Sequence, residues 1–381
     1  MKKGKMVIGF LGLAALLAGC FYSPGEQKKA VNEEPLIEEK IEKACRDIYE
    51  YYEESHGMES FERIGETVKK LGEEGWPVVD QGNQFNMENP APVKAFCEKV
   101  EKKKDGGLDM IIALNNGGFV RFSFVTTEGR VEVTADSLAW EDGSLNVMYT
   151  EAFPAYEWVY PENGYLFFGK QYMAGFSGPY SHVAVRVEPL DAVCRELNRT
   201  YILPWGYGSN NVFITDWSEH DYRALDFYDI FEKRYNRYPL DISGMLTAEA
   251  EDGSAVYQIP ERDFEQVVTE YFPVDSQELK ADTDYVQASS AYEFRPRSLY
   301  DSGPGAEAPY PEVVAYEMRE DGTIEMTVNA VWPEQNQGAA LSHRTVVRPL
   351  SNGSFQYIEN QVISSGYHAA EWYKPRPAKG E

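Results

Sequence analysis

The sequence predicts an α+β fold of two modules, each with helices followed by an antiparallel β-meander. Three observations carry this. Apolar residues recur at three- and four-residue spacing early in each half, alternation takes over later, and acidic-Gly or Asn-Gly pairs punctuate the alternating stretches. Helices grouped ahead of strands, without strand–helix–strand alternation, point to α+β packing and away from the doubly wound parallel sheet of importer solute-binding proteins.

The first half opens with a helix over Leu36–Glu54, whose Ile37, Ile41, Ala44, Cys45, Ile48 and Tyr52 share a face. A second, Glu59–Glu74, aligns Phe61, Ile64, Val68 and Leu71, with Gly75 suited to end it in a left-handed conformation. A third, Pro92–Lys104, presents Val93, Phe96, Cys97 and Val100 and stops at Asp105-Gly106-Gly107. Strand patterns then occupy Met110–Leu114, Phe119–Thr126, Arg130–Thr134, Leu145–Tyr149, Tyr165–Gln171 and His182–Val187. Asn115-Asn116-Gly117-Gly118, Glu128-Gly129 and Asp142-Gly143 are turns between them. In the second half helical spacing covers Leu190–Leu197, Glu219–Tyr235 and Glu261–Phe272. Strands follow over Val313–Met318, Thr323–Val331, His343–Pro349 and Phe355–Ile363, with Asp321-Gly322 and Asn352-Gly353 as hairpin turns. The modules are read as 35–188 and 189–370, with 371–381 as a tail.

The amino terminus carries a different signal. Lys2, Lys3 and Lys5 precede an apolar run, Met6–Leu17, that ends in Leu17-Ala18-Gly19-Cys20. About 12 apolar residues are too few to span a bilayer, which needs about 20, but they suit the apolar segment of an export signal. Small residues before a cysteine predict cleavage after residue 19 and lipidation of Cys20, with 20–34 as a flexible tether. Acyl chains stabilise attachment by about 0.8 kcal/mol per CH₂, and two or more hold a protein stably on a membrane. The expected place is therefore the outer face of the cell membrane, reached through lipid and not through the protein surface. With 36 Lys+Arg against 62 Asp+Glu and a net charge of -26, the body repels nucleic acid and anionic headgroups alike.

Catalytic signatures are scarce. Once Cys20 is lipidated, Cys45, Cys97 and Cys194 remain; Cys45 and Cys97, both on apolar helix faces, are within the reach of a disulfide in an exported chain, or serve as buried thiols. Five histidines with no paired ligand spacing predict no metal site, and no cofactor motif is present. Gly175-Phe176-Ser177-Gly178-Pro179 begins like a nucleophile elbow but has Pro where the last Gly belongs, and Gly206-Tyr207-Gly208-Ser209-Asn210-Asn211 lacks the third Gly of a dinucleotide loop. The segment best suited to a ligand is Leu203–Tyr222. It gathers Trp205, Tyr207, Trp217 and Tyr222 with Asn210, Asn211, Asp216, Glu219, His220 and Asp221. Rings beside amides and carboxylates are what a sugar or peptide needs, and the same composition also builds a loop anchored in the core. Ser218 and Asp221 have the spacing of a cap for the Glu219–Tyr235 helix. Two further stretches, the aromatic-rich Tyr149–Tyr180 and the Pro/Gly loop Tyr300–Pro311, read as core packing and as a mobile cover or a disordered loop.

The run Ile202-Leu203-Pro204-Trp205-Gly206-Tyr207, with Asp216-Trp217-Ser218 and Asp229-Ile230-Phe231-Glu232, resembles a family of uncharacterised lipoproteins of anaerobic Gram-positive bacteria. Glu157-Trp158-Val159-Tyr160, Asn163-Gly164-Tyr165-Leu166 and the stretch from Asp321-Gly322-Thr323-Ile324 to Gly353-Ser354-Phe355-Gln356-Tyr357 extend the resemblance over most of the chain. It implies a compartment and no activity. The expected function is a membrane-anchored, non-enzymatic binding or interaction module for a protein, peptide or glycan, with Trp205, Tyr207, Asn210, Asp216, Trp217 and His220 as its contacts. The alternative is an envelope hydrolase working through Asp216, Glu219 and His220.

Overall fold

The computed structural model describes residues 36–55, 57–171, 180–249, 255–297, 308–365 and 372–376; from Ile37 on, these belong to one compact unit. The leader, Cys20, the tether, Gly175–Pro179 and residues 300–307 of the long loop lie outside them.

The α+β class is what forms. In the first half, α1 (Ile37–Glu54) and α2 (Phe61–Glu73) come first, the latter capped by the Ser60 hydroxyl accepting the Arg63 N–H. A short strand, β1 (Val78–Asp80), and α3 (Pro90–Glu101) follow. The meander is β2 (Gly106–Ala113), β3 (Phe119–Thr127), β4 (Arg130–Glu141) and β5 (Ser144–Pro154), with β1 added in parallel beside β2. Period-two alternation serves both faces of this sheet: Ile111 and Ala113 of β2 meet Ile41, Cys45, Ile64 and Leu71 of α1 and α2. Met110 and Ile112 meet Val93, Phe96 and Cys97 of α3 on the other side. That second face is also covered by a three-stranded sheet, β6 (Glu157–Val159), β7 (Tyr165–Gly169) and β8 (Val183–Arg186), which contributes Leu166, Phe168 and Val185. Much of the aromatic stretch from 149 to 180 is thus core, although Tyr149 and Tyr156 stay exposed.

The second half begins with α4 (Ala192–Leu197), capped by Asp191 and continued by a π-helical turn, Asn198–Ile202. The helix expected over Glu219–Tyr235 is shorter: α5 is Phe227–Arg234, capped by Asp226 and not by Ser218. Ser218 and Asp221 instead exchange backbone hydrogen bonds across a tight turn, and β9 (Trp217–Ser218) joins a sheet edge. The pattern of apolar residues there reflects a loop packed on the core, which helical periodicity alone does not distinguish. An antiparallel sheet absent from the expectation, ordered β10-β11-β13-β12, holds β10 (Leu246–Glu249), β11 (Ala255–Pro260), β12 (Tyr285–Val286) and β13 (Ala291–Phe294). Between its strands run α6 (Glu261–Thr269) and α7 (Ser276–Asp282). The closing meander is β14 (Tyr310–Met318), β15 (Ile324–Trp332), β16 (Gln337–Pro349) and β17 (Phe355–Ser365), with β9 on the far edge.

A buried ionic joint links residues of the two halves. Glu312 of β14 accepts from Arg186 Nη1 at 2.7 Å, Arg195 Nη1 at 3.1 Å and the Tyr165 hydroxyl at 2.9 Å. The Asn83 side chain bridges the Ala184 carbonyl and the Tyr310 hydroxyl alongside it. A buried carboxylate survives only where such donors replace water.

Candidate functional site

The segment 203–222 enters the core. Trp205 has no exposed surface; its ring lies against Tyr271, Phe272 and Tyr357. Trp217 and Tyr222 are buried too, with their polar tips used inside: Trp217 Nε1–H donates to the Val212 carbonyl and the Tyr222 hydroxyl to that of Tyr357. Asn210 works as a staple, its amide donating to the Gly208 carbonyl at 3.0 Å and its oxygen accepting the Val212 N–H. This is what the glycine-rich run 206–211 does in the fold: it makes a turn closed by its own asparagine. Asn211 holds the next loop, accepting the Asp226 N–H and donating to the Ala224 carbonyl. Trp205 and Tyr222 offer a ligand no free face, whereas Trp217, though buried, borders a cleft shared with Asp216.

Tyr207 belongs to a buried polar string. Its hydroxyl is 3.0 Å from His343 Nε2, and His343 Nδ1 is 2.8 Å from Asn360 Oδ1. Asn360 Nδ2 donates to the Thr215 carbonyl, which fixes Oδ1 as the acceptor toward the ring. The proton therefore sits on Nδ1, and Nε2 accepts from Tyr207. Burial pushes the His343 pKa down to about 3, so the imidazole is neutral. A hydroxyl, an imidazole and an amide in line have the form of a nucleophile, a base and its orienter. Here all three are sealed from solvent and reach no substrate.

The carboxylates and histidine of the expected hydrolase do not converge. Asp216 is exposed and accepts the Val362 N–H at 2.7 Å. Glu219 is held by both terminal nitrogens of Arg348, at 3.0 and 3.2 Å. His220 is exposed on the turn, and among the described residues no hydrogen bond joins these three side chains. Nor do the described residues hold any group of three His, Cys, Asp or Glu placed to bind a metal. The disulfide considered for Cys45 and Cys97 is not formed. Both are free buried thiols on opposite faces of the first sheet, each pushed up to about 12 by burial.

Two neighbouring clefts remain open, and Ala224 lines both. One, of about 530 Å³, runs past Asp216, Ser218, Asp221 and Arg223 to Glu359 and Gln361. The other, of about 480 Å³, is bounded by Asp226, Tyr228, Asp282, Asp284, Tyr373 and Arg376. Beside it Asp229 is fully buried and takes two bonds from Arg297, at 2.6 and 2.7 Å, one from Arg376 at 2.8 Å and one from the Tyr373 hydroxyl at 3.0 Å. Arg376 also reaches Glu232. Asp226, next to this cluster, is pushed up to about 6 by burial and by the charge of Asp229. Asp226, Asp229 and Glu232 recur every three residues, a signal the sequence does carry; their partners at 297, 373 and 376 have no local mark.

Fold and site together define a class: a mixed α+β protein with small, mainly antiparallel sheets and two buried ionic networks, one at Glu312 and one at Asp229. The model of a family of unknown function, DUF6070, matches residues 31–376, so the chain belongs to that family. No curated protein and no solved structure matches it.

Proposed function

We propose that the chain is a membrane-anchored extracytoplasmic lipoprotein, lipidated at Cys20, whose body is a non-enzymatic binding module. The observation that carries the binding reading is the fate of the reactive side chains: Tyr207 and His343 are sealed, Glu219 is paired with Arg348, and Asp229 is closed by two arginines. The ligand, a peptide, protein or glycan, meets the two clefts on either side of Ala224. The Lys-rich leader and Leu17-Ala18-Gly19-Cys20 support the anchor.

Thermal-shift screening of the chain against cell-wall fragments, basic peptides and neutral peptides tests the binding role. Stabilisation without turnover is expected; turnover of any of them would sink it. Cys20→Ser is expected to move the protein from the membrane to the soluble fraction, and unchanged fractionation would remove the anchor from the account. One observation favours the envelope hydrolase instead: Asp226, protonatable near neutrality, stands in an open cleft beside Tyr228 and Tyr373. Loss of a discovered activity in Asp226→Asn, with the fold kept, would establish that alternative.

A further inference from the structure

Arg234 ends α5 and is 2% exposed. Its guanidinium carbon lies 4.1 Å from the centre of the Trp205 ring and 5.0 Å from that of Tyr271. Its Nε–H is buried without an acceptor, and among the described residues neither terminal nitrogen enters a hydrogen bond or an ion pair. The other deeply buried arginines each have acceptors, although Nη2 of Arg195 is also left without one. Arg63 donates to the carbonyls of Met58, Leu114 and Asn115, Arg186 and Arg195 share Glu312, and Arg297 binds Asp229. Burial disfavours the charge of Arg234, and so does the like charge of Arg237, which is itself exposed and without an ion pair among the described residues. Aromatic faces compensate a buried cation in part, but the five N–H donors of a guanidinium lie in its plane, where rings stacked on its faces leave them unused.

The Arg234–Trp205 stack is flanked by half-buried aromatic side chains. Tyr201, Tyr271 and Phe355 are half-buried; Phe355 packs edge to face on Tyr201 and Tyr271, and Tyr271 on Trp205. Tyr238 stands beside them, its hydroxyl turned to Glu270. The chain carries 62 acidic residues, yet this spot places two arginines together with no carboxylate bound to either. We propose that Arg234, with Arg237 at its rim and Tyr201, Tyr271 and Phe355 as walls, is a binding site for an oxyanion, a carboxylate or phosphate, borne on an apolar or ring-shaped body. The fork of Arg234 takes the anion bidentately, and the aromatic walls take the body that carries it. Trp205, with its ring stacked against the guanidinium, supports the arginine from beneath. This site is separate from the clefts at Ala224 and does not depend on where the chain is anchored.

The test is thermal unfolding of the purified full chain in acetate, benzoate, inorganic phosphate and phenyl phosphate, each against chloride at matched ionic strength. At ~50 times the dissociation constant, a one-site ligand raises the midpoint of a body this size by roughly 3 °C. The expected order is benzoate above acetate and phenyl phosphate above phosphate, by about tenfold in affinity; which pair binds more tightly tells carboxylate from phosphate. Arg234→Met is expected to abolish the shift and Arg237→Ser to weaken it several-fold. Arg234→Lys keeps the charge but loses the fork, and serves if the methionine variant does not fold; its binding is expected to fall at least tenfold. The proposal is overturned if none of the four anions exceeds chloride on the wild type, or if the folded Arg234 variants respond as the wild type does.

Discussion

Lowering the pH should remove the contribution that one buried side chain, His343, makes to the stability of the fold. His343 is neutral and sealed in the fold, with its pKa pushed down to about 3, whereas in the unfolded chain it titrates near 6.5. At this site the folded state therefore binds fewer protons than the unfolded one, and the contribution of His343 to stability falls as the pH drops below ~6.5, continuing until the folded value is reached. Each pH unit in that window removes about 1.4 kcal/mol, so the loss is ~2 kcal/mol at pH 5 and ~3 kcal/mol at pH 4. Urea unfolding of the wild type and of His343→Gln, repeated from about pH 8 to pH 4, reads this directly. Glutamine has no titration in the range, so the difference between the two proteins isolates the histidine. The wild type should be the more stable at pH 8, because Gln cannot serve both Tyr207 and Asn360 as the imidazole does. Its advantage should shrink by ~2 kcal/mol on reaching pH 5. A difference that stays flat across this range, or grows toward acid, would refute the reasoning.

Three other outcomes follow from the same physics. Asp226, raised to about 6 where an unfolded aspartate titrates near 3.9, stabilises the fold fully only below ~pH 4 and loses that contribution as pH rises through 6. The wild type should accordingly lose ~3 kcal/mol relative to Asp226→Asn between pH 4 and pH 8, as measured by denaturant titration. Glu312→Gln strips Arg186 and Arg195 of their shared charge and should destabilise by about 3–5 kcal/mol, with a lower unfolding midpoint in urea and an unchanged slope. Cys45 and Cys97, buried and raised to about 12, should resist a thiol reagent at neutral pH and react only after denaturant is added.

Much of the architecture was legible because local and tertiary demands agree. The faces of α1 and α2 read from Ile41, Cys45, Ile64, Val68 and Leu71 are the faces buried. Glu128-Gly129 and Asp142-Gly143 have positive φ at both positions, as tight hairpins between twisted strands require. Gly322 and Gly353 alone are positive in their turns, so Asp321 and Asn352 act through side-chain bonds to the following residues. The segment 203–222 was legible only in composition. Trp205 beside Asn210 reads alike for a ligand face and for a core anchor, and burial, which depends on residues 271, 343 and 357, decides between them. Arg234 and the Asp229 cluster escaped for the same reason: their partners, or the lack of them, are set by chain segments tens of residues away.

The closure of Asp229 has a consequence for biogenesis. Two of its four donors come from Arg376 and Tyr373, residues made after all the strands of the closing meander. Until that stretch leaves the ribosome, the Asp229 carboxylate of α5 can have at most half of its eventual donors. A latch of this kind ties the final pairing of α5 to residues about 150 positions further along the chain.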